Sequence, residues 1–143
     1  MTKLYALTGP ARVAGTNVLV IALDAAGPLD LTGRHVLVVA PALNSRLRHW
    51  MSDDREALRT AEERLDATVD GLERAGVHAS GHIGDADPLQ AIADALPTFA
   101  ADEVVIAAHG ERSRRLAREI ATRARDRFGL PVVHAGDQLP RAA

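Results

Sequence analysis

Hydrophobic positions along this chain fall into near-continuous runs alternating with stripes at helical spacing. Residues 18–23 (Val-Leu-Val-Ile-Ala-Leu) and 35–40 (His-Val-Leu-Val-Val-Ala) are rich in β-branched side chains and nearly unbroken. Such runs predict strands covered on both faces, because a strand with one wet face alternates apolar and polar residues. Gly27-Pro28 and Thr32-Gly33 punctuate the interval between them, which leaves no room for an ordinary helix. After Pro41 comes a polar, Arg-rich loop with the only tryptophan, Trp50. Ser52 is then a suitable N-cap, with Asp53 and Asp54 favourable in the first helical turn. Leu58, Ala61, Leu65, Val69 and Leu72 recur at helical spacing and predict a long amphipathic helix ending near Gly76.

The second half continues the alternation. Residues 77–83 read as a third strand, interrupted by His78, Ser80 and Gly81. Asp87 followed by Pro88 is a helix start, an N-cap acceptor before a residue that lacks the N–H a first turn cannot use. Leu89, Ile92, Ala93 and Leu96 supply that helix's inner face, and Pro97 limits it. Residues 103–108 form a fourth strand, and a basic helix runs from about Ser113 to Phe128 with Leu116, Ile120, Ala124 and Phe128 inward. Gly129 stops it, residues 131–135 form the last strand, and a tail follows from Gly136. Strands alternating with helices predict an α/β three-layer sandwich on a mostly parallel five-stranded sheet.

Composition narrows the function classes. A chain of 143 residues makes one domain and buries about two-thirds of its unfolded surface. Its 47% hydrophobic and 25% charged residues are those of a globular protein. A net charge of −2 gives no overall footprint for nucleic acid or an anionic membrane. Without cysteine there is no disulfide, thiolate metal site or cysteine nucleophile, which suits a cytoplasmic location. No apolar run is long enough to span a bilayer.

Candidate chemistry gathers where the fourth strand stops, at His109-Gly110. In open α/β sheets, ligands bind just beyond the carboxyl ends of the strands. His109 can contact phosphate or exchange a proton near neutral pH. Arg112, Ser113, Arg114 and Arg115 open the next helix, and guanidinium groups bind phosphate bidentately. Arginines at 118, 123, 125 and 127 continue along it, so a solvated basic face describes the same residues. Basic residues at a helix start oppose its dipole, which favours an anion there. Asp85 and Asp87 raise a magnesium site, but octahedral oxygen ligands must converge and Asp87 is better used as a cap. No metal site is therefore assigned. There is no nucleophile elbow, Walker A, zinc-type or Rossmann glycine motif, and no catalytic residue is assigned.

From His35 to Ala135 these pieces together resemble the universal stress protein superfamily. The matching segments are Val36-Leu37-Val38-Val39 before a long loop and helix, and Gly84-Asp85-Ala86-Asp87-Pro88 before Leu89-Gln90-Ala91-Ile92. Residues 101–106 leading into His109-Gly110, and Pro131-Val132-Val133 as closing strand, complete the set. The resemblance implies the universal-stress-protein-like, adenine-nucleotide-alpha-hydrolase-like fold and a non-catalytic, regulatory or stress-associated role. It also implies a homodimer through the last strand, where Val132-Val133 offers an apolar edge, and ATP, ADP or AMP as ligand. Nucleotide-binding members carry G-x2-G-x9-G-[ST] after the fourth strand. On this sequence those positions hold Ala107, Gly110 and Ile120-Ala121, so one glycine of three survives. Nucleotide binding is accordingly expected to be weak, altered or lost.

The family's first strand ends in an acidic residue, and Asp24 is its counterpart. Candidate contacts for a nucleotide or anion are Asp24, Ala40, Pro41, His109, Gly110, Arg112 and Ser113. Only residues 25–34 stand where the family has a helix, so residues 1–34 are set apart as an atypical N-terminal strand and loop. Residues 35–138 form the family-like domain and 139–143 a tail. The first strand is then compatible with a sheet edge or with pairing to another subunit. Two other readings stay open: an enzyme or binder for a nucleotide or phosphorylated metabolite at His109-Gly110, and an interaction module. In the last, the Arg46–Trp50 loop and the basic final helix would meet an acidic partner.

Overall fold

The computed structural model describes residues 17–24, 29–43 and 54–135. The elements run β1 (Asn17–Ala22), β2 (His35–Pro41), α1 (Asp54–Arg74), β3 (Ala79–Gly84), α2 (Pro88–Ala95), β4 (Glu103–Ala107), α3 (Glu111–Phe128) and β5 (Val132–Ala135). The strands form one sheet in the order β3-β2-β1-β4-β5, and every neighbouring pair is parallel. This is the α/β fold expected from the alternation of patterns. The Ser52 cap, the Arg46–Trp50 loop and the tail from Gly136 lie outside the described residues.

β1 is the centre of the sheet, flanked by β2 and β4, so the edge-strand and other-subunit readings of this segment are overturned. Its residues Val18, Leu19, Val20, Ile21 and Ala22 have no solvent exposure. Full burial of each large side chain is worth about 1.5–3 kcal/mol, which makes the central position the best use of such a run. Alternate residues serve two cores. Leu19, Ile21, Val104 and Ile106 pack with Ala91, Ile92 and Ala95 of α2 and with Ala117, Ile120, Ala121 and Ala124 of α3. On the opposite face, Val18, Val20, Val36, Val38 and Val105 pack with Ala61 and Leu72 of α1.

The short β1–β2 connection covers this second face without a helix in its described part. Leu31 is buried there with Leu29 packed alongside, and Gly33 takes a positive φ of 79° before β2 begins. Arg34, just ahead of β2, pairs with Glu103 at the start of β4.

Most of the expected inner face of two helices packs on the core, Ala61, Leu65, Val69 and Leu72 in α1 and Ile120, Ala124 and Phe128 in α3, with one leucine of each turned out. In α1 the buried residues are Ala57, Ala61, Thr68 and Leu72, while Leu58 is exposed. In α3 Ala117, Ile120, Ala121 and Ala124 are buried, while Leu116 is turned to solvent. Alanine on the inner face lets each helix lie close to the sheet, and Leu58 and Leu116 fall outside that contact.

Helix ends follow local chemistry. Asp87 caps α2 by accepting from the Leu89 amide at 3.0 Å, with Pro88 at the first helical position. α1 closes in a Schellman arrangement: Gly76 has φ 85°, its amide donates to Glu73 O, and the Val77 amide donates to Leu72 O at 2.9 Å. Val77 therefore belongs to the helix stop, and β3 begins two residues later than the sequence pattern suggests.

Candidate functional site

The strand order reverses direction between β1 and β4, and in open α/β sheets the crevice beyond such a switch point is the binding position. Three elements end there together. After β1 the chain reaches Asp24, whose amide donates to Ala107 O at 3.3 Å. After β4 come Ala108, His109 and Gly110, and α3 begins at Glu111. The Asp24 carboxylate accepts the His109 backbone amide at 2.8 Å, locking the two strand ends to each other. The bond is made by the His109 backbone amide.

Gly110 is the N-cap of α3, with φ −71° and ψ 162°, and no side chain caps the helix. The first intrahelical bond runs from the Arg114 amide to Gly110 O at 2.8 Å. The amides of Glu111, Arg112 and Ser113 consequently have no acceptor within the helix, which is the usual anion-binding end. The helix starts two residues earlier than expected, and the turn before it is only 108–110. Ile120 and Ala121, which hold the closing positions of the family motif, lie deep in α3 and are buried in the core. A continuous helix thus replaces the second half of that glycine loop.

The candidate residues divide into two groups. Asp24, His109 and Gly110 follow the adjoining ends of β1 and β4, and Arg112 and Ser113 lie in the first turn of α3, with Asp24, His109 and Ser113 half-buried and Gly110 and Arg112 exposed. Ala40 and Pro41 sit one strand away and are buried. The Pro41 carbonyl already accepts from the Leu43 amide at 2.8 Å. Asp85 and Asp87 are far from this crevice in their use: Asp85 accepts from the Asp87 amide and Asp87 from the Leu89 amide, so both carboxylates serve one capping turn. Among the described residues, no group of three or more His, Asp or Glu side chains could hold a metal ion.

One residue of the site escaped the sequence reading. Arg64 lies on the inner stripe of α1, between Ala61 and Thr68, and reaches over the ends of two strands. Its Nη1 donates to Ala22 O at 2.7 Å and its Nη2 to Pro41 O at 2.9 Å. Burial lowers its pKa from the ordinary arginine value, and the nearby Asp24 carboxylate acts in the opposite direction. A charged residue in phase with Ala57, Ala61 and Leu72 was the available signal.

With this geometry in place, comparison with solved structures is informative. A solved universal stress protein family protein from Arabidopsis thaliana, with AMP bound, superposes with a TM-score of 0.54 at 13% sequence identity. The match covers 87% of this chain and 96% of that one. At this identity the likeness establishes the shared α/β fold and nothing finer. No protein-family model matches the chain, and no curated protein sequence does. Among the described residues, no helix is long and apolar enough to cross a membrane.

Proposed function

We propose that this chain is a non-catalytic, cytoplasmic regulatory domain of the universal stress protein kind that holds a nucleoside monophosphate weakly in the β1–β4 crevice. One observation carries the reading: α3 starts uncapped, directly after a three-residue turn, beside a carboxylate fixed at the end of the central strand. The α3 amides take the phosphate, and the Asp24 carboxylate accepts ribose hydroxyls, the usual division of labour at such crevices. The AMP in the structurally similar protein supports a ligand of this size. Because residues 111–119 are helical, no glycine loop folds over further phosphates. Affinity therefore does not rise along the series AMP, ADP, ATP. Isothermal titration with the three nucleotides tests this. ATP binding tenfold or more tighter than AMP, or no binding of any of them, would overturn it.

The same reading includes a homodimer. β5 is a sheet edge, with Val133 exposed at 45%, while Val132 is committed to the core. Edge strands invite pairing with a second chain. Sedimentation of the wild type and of Val133→Lys checks this, with loss of the dimer expected for the variant.

A further inference from the structure

The half-buried Arg64 has more hydrogen-bonding capacity than the described residues use. A guanidinium carries five N–H donors, and Arg64 spends two on neutral carbonyls, Ala22 O and Pro41 O. Among the described residues no carboxylate lies within ion-pair distance of it, and Asp24 acts on its charge only from further away. Among the described residues, three donors are therefore left without an acceptor, on a partly desolvated positive charge at the ends of β1 and β2. Burying such a group is costly unless acceptors complete its shell.

Its position relative to the phosphate end is set by strand order. α3 follows β4, Asp24 ends β1, and Arg64 bridges the ends of β1 and β2. Neighbouring strands lie about 4.8 Å apart, so the run from β4 to β2 spans roughly 10 Å. A mononucleotide anchored by phosphate at α3, with its ribose over Asp24, brings its base to Arg64. The two backbone amides after β2 and the last carbonyl of β2 are already engaged there. The Ala42 amide donates to Gly84 O at 3.2 Å, the Leu43 amide donates to Pro41 O, and that same carbonyl accepts from Arg64.

Resting on the mononucleotide reading, we infer that Arg64 makes the crevice prefer 6-oxopurine monophosphates, guanine or hypoxanthine, over adenine. A guanidinium only donates. The O6/N7 edge of guanine offers two acceptors, whereas the same edge of adenine offers one acceptor and an amino donor that opposes the guanidinium. The ligand class is thus a purine mononucleotide with a carbonyl at position 6.

Titration calorimetry with GMP, IMP and AMP on the intact chain decides the point. GMP and IMP bind at least about tenfold tighter than AMP, and Arg64→Gln brings all three within about threefold of one another. Thermal unfolding of the variant is measured alongside, and Arg64→Lys, which keeps the charge but loses the planar fork, narrows the same ratio should Arg64→Gln not fold. AMP binding as tight as GMP overturns the role of Arg64 and leaves the mononucleotide site standing. Absence of binding by all three overturns the site itself, and this inference with it.

Discussion

Replacing Gly110 tests whether the α3 start is kept open for a ligand at the expense of stability. The residue already has the extended backbone of an N-cap, with φ −71° and ψ 162°, and a Cβ built on it meets nothing within 4 Å. Gly110→Ser therefore introduces no strain and adds a hydroxyl that accepts from the Arg112 or Ser113 amide. Serine in place of glycine at an N-cap is worth a few tenths of a kcal/mol. That net difference already includes the restriction of the unfolded chain, so the predicted stabilisation is a few tenths of a kcal/mol, a rise in Tm of about 1 °C for a domain of this size. Urea and thermal unfolding of Gly110→Ser measure it, each in the absence and presence of AMP. The companion Gly110→Asp places a carboxylate on the amides that would take phosphate, and AMP affinity falls by at least about tenfold. Destabilisation by Gly110→Ser would refute the uncapped helix start. Unchanged AMP binding in Gly110→Asp would refute its role as the phosphate site.

Other substitutions probe the frame around the crevice. Asp24→Ala strands the part-buried His109 amide that now donates at 2.8 Å, and costs about 1.5–3 kcal/mol in urea unfolding, whereas Asp24→Asn keeps an acceptor and loses less. Two glycines predict opposite signs for the same change to alanine. At Gly84 the new Cβ would sit 2.6 Å from Val39 Cγ1 and 3.1 Å from Ala91 Cβ, and overpacking costs about 1–3 kcal/mol. At Gly71, inside α1 with nothing within 4 Å, alanine stabilises by about 0.5–1 kcal/mol. Equal effects at the two sites would show that the packing of Val39 and Ala91 is not what excludes a side chain at Gly84.

What could be read from the sequence followed the physics of each signal. The run at 18–23 announced a strand buried on both faces, and β1 has no exposure along its length after Asn17. Its place in the sheet was lost, because the shortness of residues 25–34 says how the chain connects and not which strands are neighbours. Asp87-Pro88 and Gly129 were legible because caps are decided by the two or three residues that form them. The inner faces of α1 and α3 were legible except at Leu58 and Leu116, for a specific reason. Large apolar residues were taken as the markers of burial, while this core meets its helices through Ala57, Ala61, Ala117, Ala121 and Ala124. Arg64 was missed because charge next to an apolar stripe is ordinarily solvated, whereas here it stands on the side of the stripe marked by Ala57, Ala61 and Thr68 and bonds to strand-end carbonyls. Asp24, His109 and Gly110 were found because strand ends carry ligands in this architecture, whatever the sequence between them.

The account rests on the β1–β4 crevice as the ligand site, and amide chemical-shift mapping tests it most directly. Titrating the 15N-labelled chain with a purine nucleoside monophosphate, AMP and GMP in parallel, should perturb Asp24, His109, Gly110 and the first turn of α3, together with the Arg64 side-chain resonances. The β3 edge and the exposed face of α1 should stay still. Perturbations confined to those distant surfaces, or none at millimolar nucleotide, would contradict the account.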